Sequence, residues 1–260
     1  MSAPADGRLP QCGPGWAYFL DIDGTLAEIA GTPADVHVDP VLRACIETLL
    51  RESGGALALI SGRTIRDIDT LFPGMRIPVA GQHGAERRRM DGHVVRQAVN
   101  PAVFGRARER LTRAAREHRR LYLEDKGSSL ALHYRRAPRL GGYVHRLMHD
   151  LAAESGPEVA VLTGKRVVEL LPAGPRKGLA VRAFLDEEPF LGRLPVFAGD
   201  DVSDESAFEI VNRLDGFSVK VGPGRTAARW RLRDVSTVRL WLGRGCAAER
   251  VARPLTPGAP

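Results

Sequence analysis

The chain has few cysteines, few aromatic residues and no long apolar stretch. Its three cysteines are scattered and odd in number, so we expect no disulfide framework and predict a cytoplasmic location. Aromatic residues make up 6% of the chain and none interleaves with a basic stretch, so an aromatic platform for nucleic acid is absent. The longest apolar runs, such as residues 56–60, are too short to cross a bilayer, and we predict no membrane partner.

The remaining composition is that of an ordinary soluble protein. Its 260 residues suit two modest domains, with 43% apolar and 27% charged residues. The net charge of +7 suits an anionic partner, but composition alone does not separate nucleic acid from a phosphorylated metabolite. We expect residues 1–15, rich in Pro and Gly and without a secretory pattern, to be a disordered lead-in, and residues 251–260 to be a disordered tail.

Apolar runs alternate with helical patterns in the first and last parts of the chain. Strand patterns at Trp16–Leu20 and at residues 56–60 flank a helical pattern over Pro40–Glu52. This alternation is typical of an α/β fold with a doubly wound, mostly parallel sheet. It stops near residue 100 and returns near residue 173, which predicts one domain made of residues 16–100 and 173–250.

The intervening residues 101–172 predict an inserted α+β unit. A helix, two strands, a second helix and two further strands follow one another, the order of a small antiparallel sheet. This segment holds 14 of the basic residues against 8 acidic ones. Most of its arginines fit a solvated helix face, whereas Lys126, Lys165 and Glu169 lie in or beside strand turns and are candidates for ligand contacts.

Acidic and hydroxyl side chains follow the first two predicted strands. Asp21 and Asp23 come directly after the first strand, and Ser61 follows the second. Ligands of doubly wound sheets bind outside these carboxyl ends. Two adjacent carboxylates repel unless a cation lies between them, so the pair indicates a divalent metal with oxygen ligands. Taken alone, the acid pair also fits a calcium site or a helix cap, and Ser61 fits a simple N-cap.

Three further stretches repeat this pattern. Residues 78–80 form a short strand pattern before a Gly-Gln-His-Gly stretch, in which His83 is either a ligand contact or a loop histidine. Lys177 lies at a predicted helix start, where the helix dipole disfavours a cation, and this conflict indicates function rather than stability. After a later strand, an acidic cluster includes Asp200, Asp201 and Asp204.

Taken in their order along the chain, these motifs resemble those of the haloacid dehalogenase-like phosphohydrolases. The matching residues are Asp21-Ile-Asp23-Gly-Thr25, Ser61, Lys177 and Gly199-Asp200-Asp201 with Asp204. A finer resemblance, to trehalose-6-phosphate phosphatases, extends from Leu20 to about Phe208. It rests on Ile-Ser-Gly-Arg (60–63), Gly-Gln-His-Gly (81–84), Leu-Glu-Asp-Lys-Gly (123–127), Leu-Ala-Leu-His-Tyr (130–134), Gly-Lys-Arg-Val-Val-Glu (164–169) and Gly-Asp-Asp-Val-Ser-Asp-Glu (199–205). That family usually has Thr where this chain has Ser203.

The resemblance implies a magnesium-dependent phosphatase with a cap domain at residues 101–172. Asp21 would attack the phosphorus and form an aspartyl-phosphate, and Asp23 would protonate the leaving sugar oxygen and then activate water. Mg²⁺ would be held by Asp21, the backbone carbonyl of Asp23, and Asp200. Asp201 and Asp204 would not bind the metal directly but would orient waters or Lys177.

The resemblance also implies which groups bind the phosphate and the sugar. Ser61, Lys177 and the backbone near Gly24 would neutralise charge on the transferring phosphoryl group. The remaining implied substrate contacts are Gly62, Arg63, Gln82, His83, Lys126, Lys165 and Glu169.

Three alternatives remain open. The first is the same chemistry on another sugar phosphate, such as sucrose phosphate or mannosyl-phosphoglycerate. The second is a non-catalytic phosphosugar-binding regulatory module, against which the presence of Asp21, Asp23, Lys177 and Asp200 argues. The third is a nucleic-acid binder, which lacks its aromatic platform. Because the chain is too short to include a fused trehalose-phosphate synthase, we expect any such partner to be a separate chain.

Overall fold

The computed structural model describes residues 9–97, 104–174 and 176–251, excepting the side chains of residues 245–251. Part of the predicted lead-in (1–8) and most of the predicted tail (252–260) lie outside the described residues. Residues 9–15 lie against the last helix, where Trp241 Nε1 donates to the carbonyl of Pro10 at 2.8 Å. Within the described residues, no helix is both long enough and apolar enough to span a bilayer.

The helices and strands alternate through most of the chain. In order they are β1 (Trp16–Leu20), α1 (Pro40–Glu52), β2 (Leu57–Ile60), α2 (Ile65–Leu71), β3 (Val79–Gly81), β4 (Glu86–Arg88), β5 (Val94–Arg96), α3 (Gly105–Glu117), β6 (Tyr122–Asp125), β7 (Leu130–His133), α4 (Gly141–Ser155), β8 (Val159–Gly164), β9 (Val167–Pro172), α5 (Lys177–Leu185), β10 (Leu194–Gly199), α6 (Glu205–Arg213), β11 (Phe217–Val221), β12 (Trp230–Leu232) and α7 (Val235–Val251). Short 3-10 helices cover Pro33–Asp35, Gln82–Gly84, Pro138–Leu140 and Val202–Asp204.

The main sheet has eight strands in the order β12-β11-β10-β1-β2-β3-β4-β5. All neighbours are parallel except the pairs β3–β4 and β4–β5, so the predicted α/β fold with a mostly parallel sheet is confirmed. Strand order reverses at β1, which lies between β2 and β10, and this reversal opens a crevice at their carboxyl ends. The sequence pattern does not reveal β4, β5 or β12, because these three-residue strands carry few of the buried apolar residues that mark the others.

Helices cover both faces of the main sheet because successive strand residues point to opposite sides. From β1, Tyr18 and Leu20 pack on one side with α1, α2 and α7, where Leu42, Ile46 and Val238 are buried. Ala17 and Phe19 pack on the other side with α5 and α6. Burial on both sides explains why the central strands are continuously apolar.

Residues 104–172, here called the insert, form a second, antiparallel sheet in the order β6-β7-β9-β8. Its helices α3 and α4 bury apolar residues of one sheet face, among them Leu132 and Leu170. The alternate residues Ala131, His133 and Glu169 line a cavity on the opposite face. The order of helices and strands agrees with the sequence pattern; the division into domains at residues 101–172 stays a prediction.

Candidate active site

The predicted site residues converge at the crevice where the strand order reverses. Asp21 follows β1, Ser61 follows β2 and Asp200 follows β10, and all three line one cavity of about 160 Å³. The insert closes the other side of that cavity. Its lining residues are Asp21, Asp23, Ile29, Ala30, Gly31, Thr32, Pro33, Val36, Ser61, Gly62, Arg63, His83, Glu124, Lys126, Ala131, His133, Arg135, Lys165, Val167, Glu169, Lys177, Asp200, Asp201 and Ser203.

Lys177 joins two carboxylates at the floor of the cavity. Its Nζ lies 2.7 Å from Asp21 Oδ1 and 2.7 Å from Asp204 Oδ1, and all three side chains are buried. Burial raises the pKa of Asp21 well above its ordinary value; the Lys177 charge opposes this shift, and Asp204 and Asp200 add to it. Burial works against the charge of Lys177, but Asp204 and Asp21 raise its pKa. These two acids compensate the unfavourable position of Lys177 at the start of α5.

The acidic cluster at the carboxyl ends fits a hard divalent cation. Asp21, Asp200 and Asp204 each offer a carboxylate oxygen, and these atoms lie within 4.8 Å of one another. Burial raises the pKa of Asp200 to about 6, with Asp204 adding to the shift and Lys165 opposing it. Such repulsion among oxygen donors is relieved by a cation such as Mg²⁺. The three predicted ligands overlap this cluster at Asp21 and Asp200, and the part predicted for the Asp23 carbonyl stays a prediction.

Glycines next to the cluster give its carboxylates room. A Cβ at Gly24 would lie 2.1 Å from Asp200 Oδ2, and Gly24 has a left-handed φ of +83°. A Cβ at Gly199 would lie 2.3 Å from the carboxyl carbon of Asp204. Asp204 is fully buried, and its Oδ2 also accepts a hydrogen bond from the amide of Asp201 at 2.8 Å. Both glycines are therefore required by close packing against acids of the cluster.

The carboxylate of Asp23 is turned toward Arg63. Arg63 Nε donates to Asp23 Oδ2 at 2.7 Å, and Arg63 Nη2 donates to Asp23 Oδ1 at 2.7 Å. Burial opposes the charge of Arg63, but Asp23 raises the pKa of this guanidinium. The resemblance implied that Arg63 contacts the sugar. In the structure its guanidinium instead donates two hydrogen bonds to the carboxylate of Asp23.

Ser61 is buried between β2 and α2 and does not cap that helix. Its Oγ accepts a hydrogen bond from the amide of Arg63 at 3.2 Å. The N-cap of α2 is Thr64, whose side chain accepts from the amide of Asp67. The simple N-cap interpretation of Ser61 is therefore wrong, and its hydroxyl lies in the cavity wall.

The insert brings its own charged side chains to the cavity. Lys126 Nζ lies 3.1 Å from Glu169 Oε1 and donates to the carbonyl of Gly62 at 2.8 Å. Burial alone would raise the pKa of Glu169, but Lys126 and the hydrogen bond from His83 lower it. Lys165 forms an ion pair with Asp200. Two residues proposed from sequence to contact the sugar, Lys126 and Glu169, thus lie together, whereas Lys165 lies at the acidic cluster.

Gln82 contacts the insert rather than the acidic cluster. Its Oε1 accepts a hydrogen bond from Ser128 Oγ at 2.5 Å. The neighbouring His83 lies 3.2 Å from Glu169, measured from Nε2 to Oε2. Both residues therefore lie where the main sheet and the insert meet.

Sequence reasoning missed three titratable residues of the cavity wall, Glu124, His133 and Arg135. Glu124 Oε2 lies 2.9 Å from His133 Nε2 on the neighbouring strand. Burial alone would raise the pKa of Glu124, but His133 and Lys126 lower it. The period of two along β6 and β7 is the signal for Glu124 and His133, since it places both on the sheet face away from α3 and α4. Arg135, beyond the end of β7, donates to the carbonyl of Ala30.

The fold is that of the haloacid dehalogenase-like hydrolases. A solved haloacid dehalogenase-like hydrolase from Bacteroides thetaiotaomicron has the same fold, with a TM-score of 0.62 and 17% identity over 87% of this chain and 98% of that chain. A solved trehalose-6-phosphate phosphatase related protein has a TM-score of 0.76 and 27% identity over 91% of this chain and 99% of that chain.

Family-level similarity covers most of the sequence. The family model for trehalose-phosphatase matches residues 19–236. The trehalose-6-phosphate phosphatase of Escherichia coli (strain K12) is 43% identical over 237 residues, which is 90% of this chain and 88% of that protein. The chain belongs to the trehalose-phosphatase family, so it is an enzyme of the phosphatase class, as the sequence predicts.

Proposed function

We propose that the chain hydrolyses trehalose 6-phosphate to trehalose and phosphate. The observation that carries the proposal is one cavity lined both by the buried Asp21–Lys177 pair, whose lysine also binds Asp204, and by the Lys126–Glu169 pair of the insert. The first group suits phosphoryl transfer, and the second suits a ligand with many hydroxyl groups. The name of the Escherichia coli relative supports this substrate.

Asp21 is the proposed nucleophile. One of its carboxylate oxygens forms a bond to phosphorus while the bond from phosphorus to the sugar oxygen breaks, which gives an aspartyl-phosphate and the sugar alcohol. Lys177 already lies 2.7 Å from Asp21 Oδ1, and with Ser61 it would neutralise charge on the phosphoryl oxygens. Attack by water on the intermediate then releases phosphate and restores Asp21.

Asp23 is the proposed general acid and base. It would donate a proton to the leaving sugar oxygen and accept one from the attacking water. The two hydrogen bonds from Arg63 would orient the ionised form of this carboxyl, which is the form that accepts a proton from the attacking water.

Asp21, Asp200 and the backbone carbonyl of Asp23 are the proposed holders of Mg²⁺. The fit rests on the three close carboxylates, whose oxygens lie within 4.8 Å of one another and are the ligand type that Mg²⁺ prefers. When bound, the ion supplies positive charge that lowers the repulsion between the phosphate and the nucleophile. Asp204 would hold Lys177, and Asp201 would support the turn that carries Asp204.

The insert is the proposed cap that selects the substrate. Glu124 and Glu169 are hydroxyl acceptors and Lys126 is a donor, so together they match the alternating donors and acceptors of a disaccharide. Gly62 contributes its carbonyl to hold Lys126. Lys165, which the sequence implies as a sugar contact, is placed beside Asp200 and is proposed to act nearer the phosphate. We propose a cytoplasmic enzyme supplied by a synthase on a separate chain, with no nucleic acid partner.

The test is phosphate release from a panel of sugar phosphates, with Mg²⁺ and with a chelator. Trehalose 6-phosphate should turn over much faster than glucose 6-phosphate or sucrose phosphate, and chelation should abolish turnover. Equal turnover across the panel would support phosphatase activity but contradict trehalose 6-phosphate as the specific substrate. If no member releases phosphate in a metal-dependent manner, the chain is instead a phosphosugar-binding module.

A further inference from the structure

The carboxylate of Glu169 is held from three directions. Lys126 Nζ and Ser129 Oγ donate to its Oε1 at 3.1 and 2.6 Å. His83 Nε2 lies 3.2 Å from its Oε2. Lys126 and Ser129 belong to the insert, whereas His83 follows β3 of the main sheet, so one carboxylate oxygen is held by each part of the molecule.

The main sheet presents His83 through a closely constrained loop. Gln82 and His83 have φ values of +48° and +57°, a region that side-chain-bearing residues rarely adopt. The imidazole packs on Gly62, where a Cβ would lie 2.7 Å from the ring. The backbone of this loop is held on the main sheet, because the amide of Gln82 donates to the carbonyl of Arg63 at 2.8 Å and the amide of His83 donates to the carbonyl of Ser61 at 3.0 Å.

The hydrogen-bonding pattern of the ring identifies its role. His83 Nδ1 is the one buried side-chain polar atom, among the described residues, without a hydrogen-bond partner. An unpaired N–H is unfavourable when buried, which favours the tautomer with the proton on Nε2. Nε2–H then donates to Glu169, and this is the only polar contact that the ring makes within the described residues.

We propose that His83 is a positioning residue that aligns Glu169 when the insert is seated on the main sheet. This assignment rests on the proposed function, in which Glu169 accepts a hydrogen bond from a sugar hydroxyl, and it replaces the direct sugar contact expected for His83. Without Nε2–H, Oε2 is free to rotate away from the cavity. Turnover of the disaccharide phosphate then falls, whereas a small aryl phosphate without hydroxyl groups is unaffected.

The test compares two substitutions of equal polarity. In His83→Gln the amide nitrogen occupies the position of Nε2, and in His83→Asn it occupies the position of Nδ1. We expect His83→Asn to lower kcat/KM for trehalose 6-phosphate about tenfold, the usual effect of one lost hydrogen bond to a charged group, and His83→Gln to restore most of it. In a Glu169→Gln background, His83→Asn should have no further effect. Turnover of p-nitrophenyl phosphate should be the same in the wild type and in the two His83 single variants.

Three results would overturn the proposal: equal activities of the Asn and Gln variants, additive losses in the double variant, or a parallel loss of p-nitrophenyl phosphate turnover. A measurement without substrate separates this proposal from the proposed function. Amide hydrogen exchange over residues 127–133 and 164–169 should accelerate in His83→Asn and stay unchanged in His83→Gln. If the wild type does not hydrolyse trehalose 6-phosphate, the proposed function fails, and unchanged exchange in His83→Asn would separately reject the coupling.

Discussion

Arg63 and Asp23 form a bidentate ion pair at the edge of the cavity. Both carboxylate oxygens of Asp23 accept hydrogen bonds from the guanidinium at 2.7 Å. Arg63 Nη2 also donates to the carbonyl of Pro33 at 2.9 Å, and the Arg63 side chain is only 8% exposed. The pair therefore links the motif after β1, the motif after β2 and the loop over the cavity.

Arg63→Lys should lower kcat by about 10- to 100-fold while the protein stays folded. Lysine keeps the positive charge but has no planar fork, so it cannot hold both oxygens of Asp23, and the proposed proton donor is misoriented. The measurement is steady-state phosphate release. A matched control is Arg88→Lys, because Arg88 also holds both carboxylate oxygens of an aspartate, Asp69, through Nη1 and Nη2 at 2.8 Å each and away from the cavity. Equal losses in the two variants would contradict this role of Arg63.

Asp21→Asn should abolish turnover, by at least about 1,000-fold, because an amide is not a nucleophile toward phosphorus. Folding stability at neutral pH should stay the same or rise. The pKa of Asp21 is raised above the ordinary 3.8 by burial, with Asp204 and Asp200 adding to the effect, so ionising Asp21 weakens folding as pH rises above that value. Thermal unfolding and phosphate release together check both outcomes, and a strongly destabilised variant would show that Asp21 has a structural role instead.

Gly24→Ala should lower activity by about 100-fold or more, because the new methyl group would displace the carboxylate of Asp200. Gly222→Ala separates this clash from the backbone effect. Gly222 also has a left-handed φ, +73°, but a Cβ there meets no atom within 4 Å. The left-handed backbone should cost each variant about 1 kcal/mol of stability. The clash should add to that cost in Gly24→Ala, and only Gly24→Ala should lose activity. Comparable activities of the two variants would show that Asp200 tolerates the displacement.

Glu169→Gln should destabilise the protein by about 3 kcal/mol at neutral pH, because Lys126 keeps a buried charge without its partner. Burial opposes ionisation, but Lys126 and His83 lower the pKa of Glu169 below the ordinary 4.5. Glu169 therefore stabilises the fold above pH 4.5, and this contribution is lost as pH falls below that value. Denaturant unfolding from neutral to acidic pH should show the variant approaching the wild type in acid.

Glu154→Gln is the control for that experiment. Glu154 pairs with Arg110, but their side chains are 53% and 38% exposed, so the pair contributes little at any pH. A pH profile of Glu169→Gln that runs parallel to the wild type would contradict the pairing of Glu169 with Lys126.

Much of the site is predictable because its residues follow apolar strands directly. The runs before Asp21, Ser61 and Asp200 are apolar enough to be recognised as buried strands, and parallel strands bring their carboxyl ends to one edge. The strands β4, β5 and β12 are different: they are short, and their positions depend on pairing with neighbours distant in the chain. Glu124 and His133 were missed because each looks like an ordinary polar strand residue until the two strands pair.

The sequence by itself determined the α/β class, the antiparallel insert and the convergence of the acids and Lys177 on one crevice, because hydrophobic periodicity and strand-end position are local properties. Only the tertiary structure decided which basic side chain pairs with which acidic side chain. It paired Arg63 with Asp23, Lys165 with Asp200, and His83 with Glu169. Their partners are 40, 35 and 86 residues away along the chain, and hydrogen-bond geometry over such separations depends on packing rather than on local sequence.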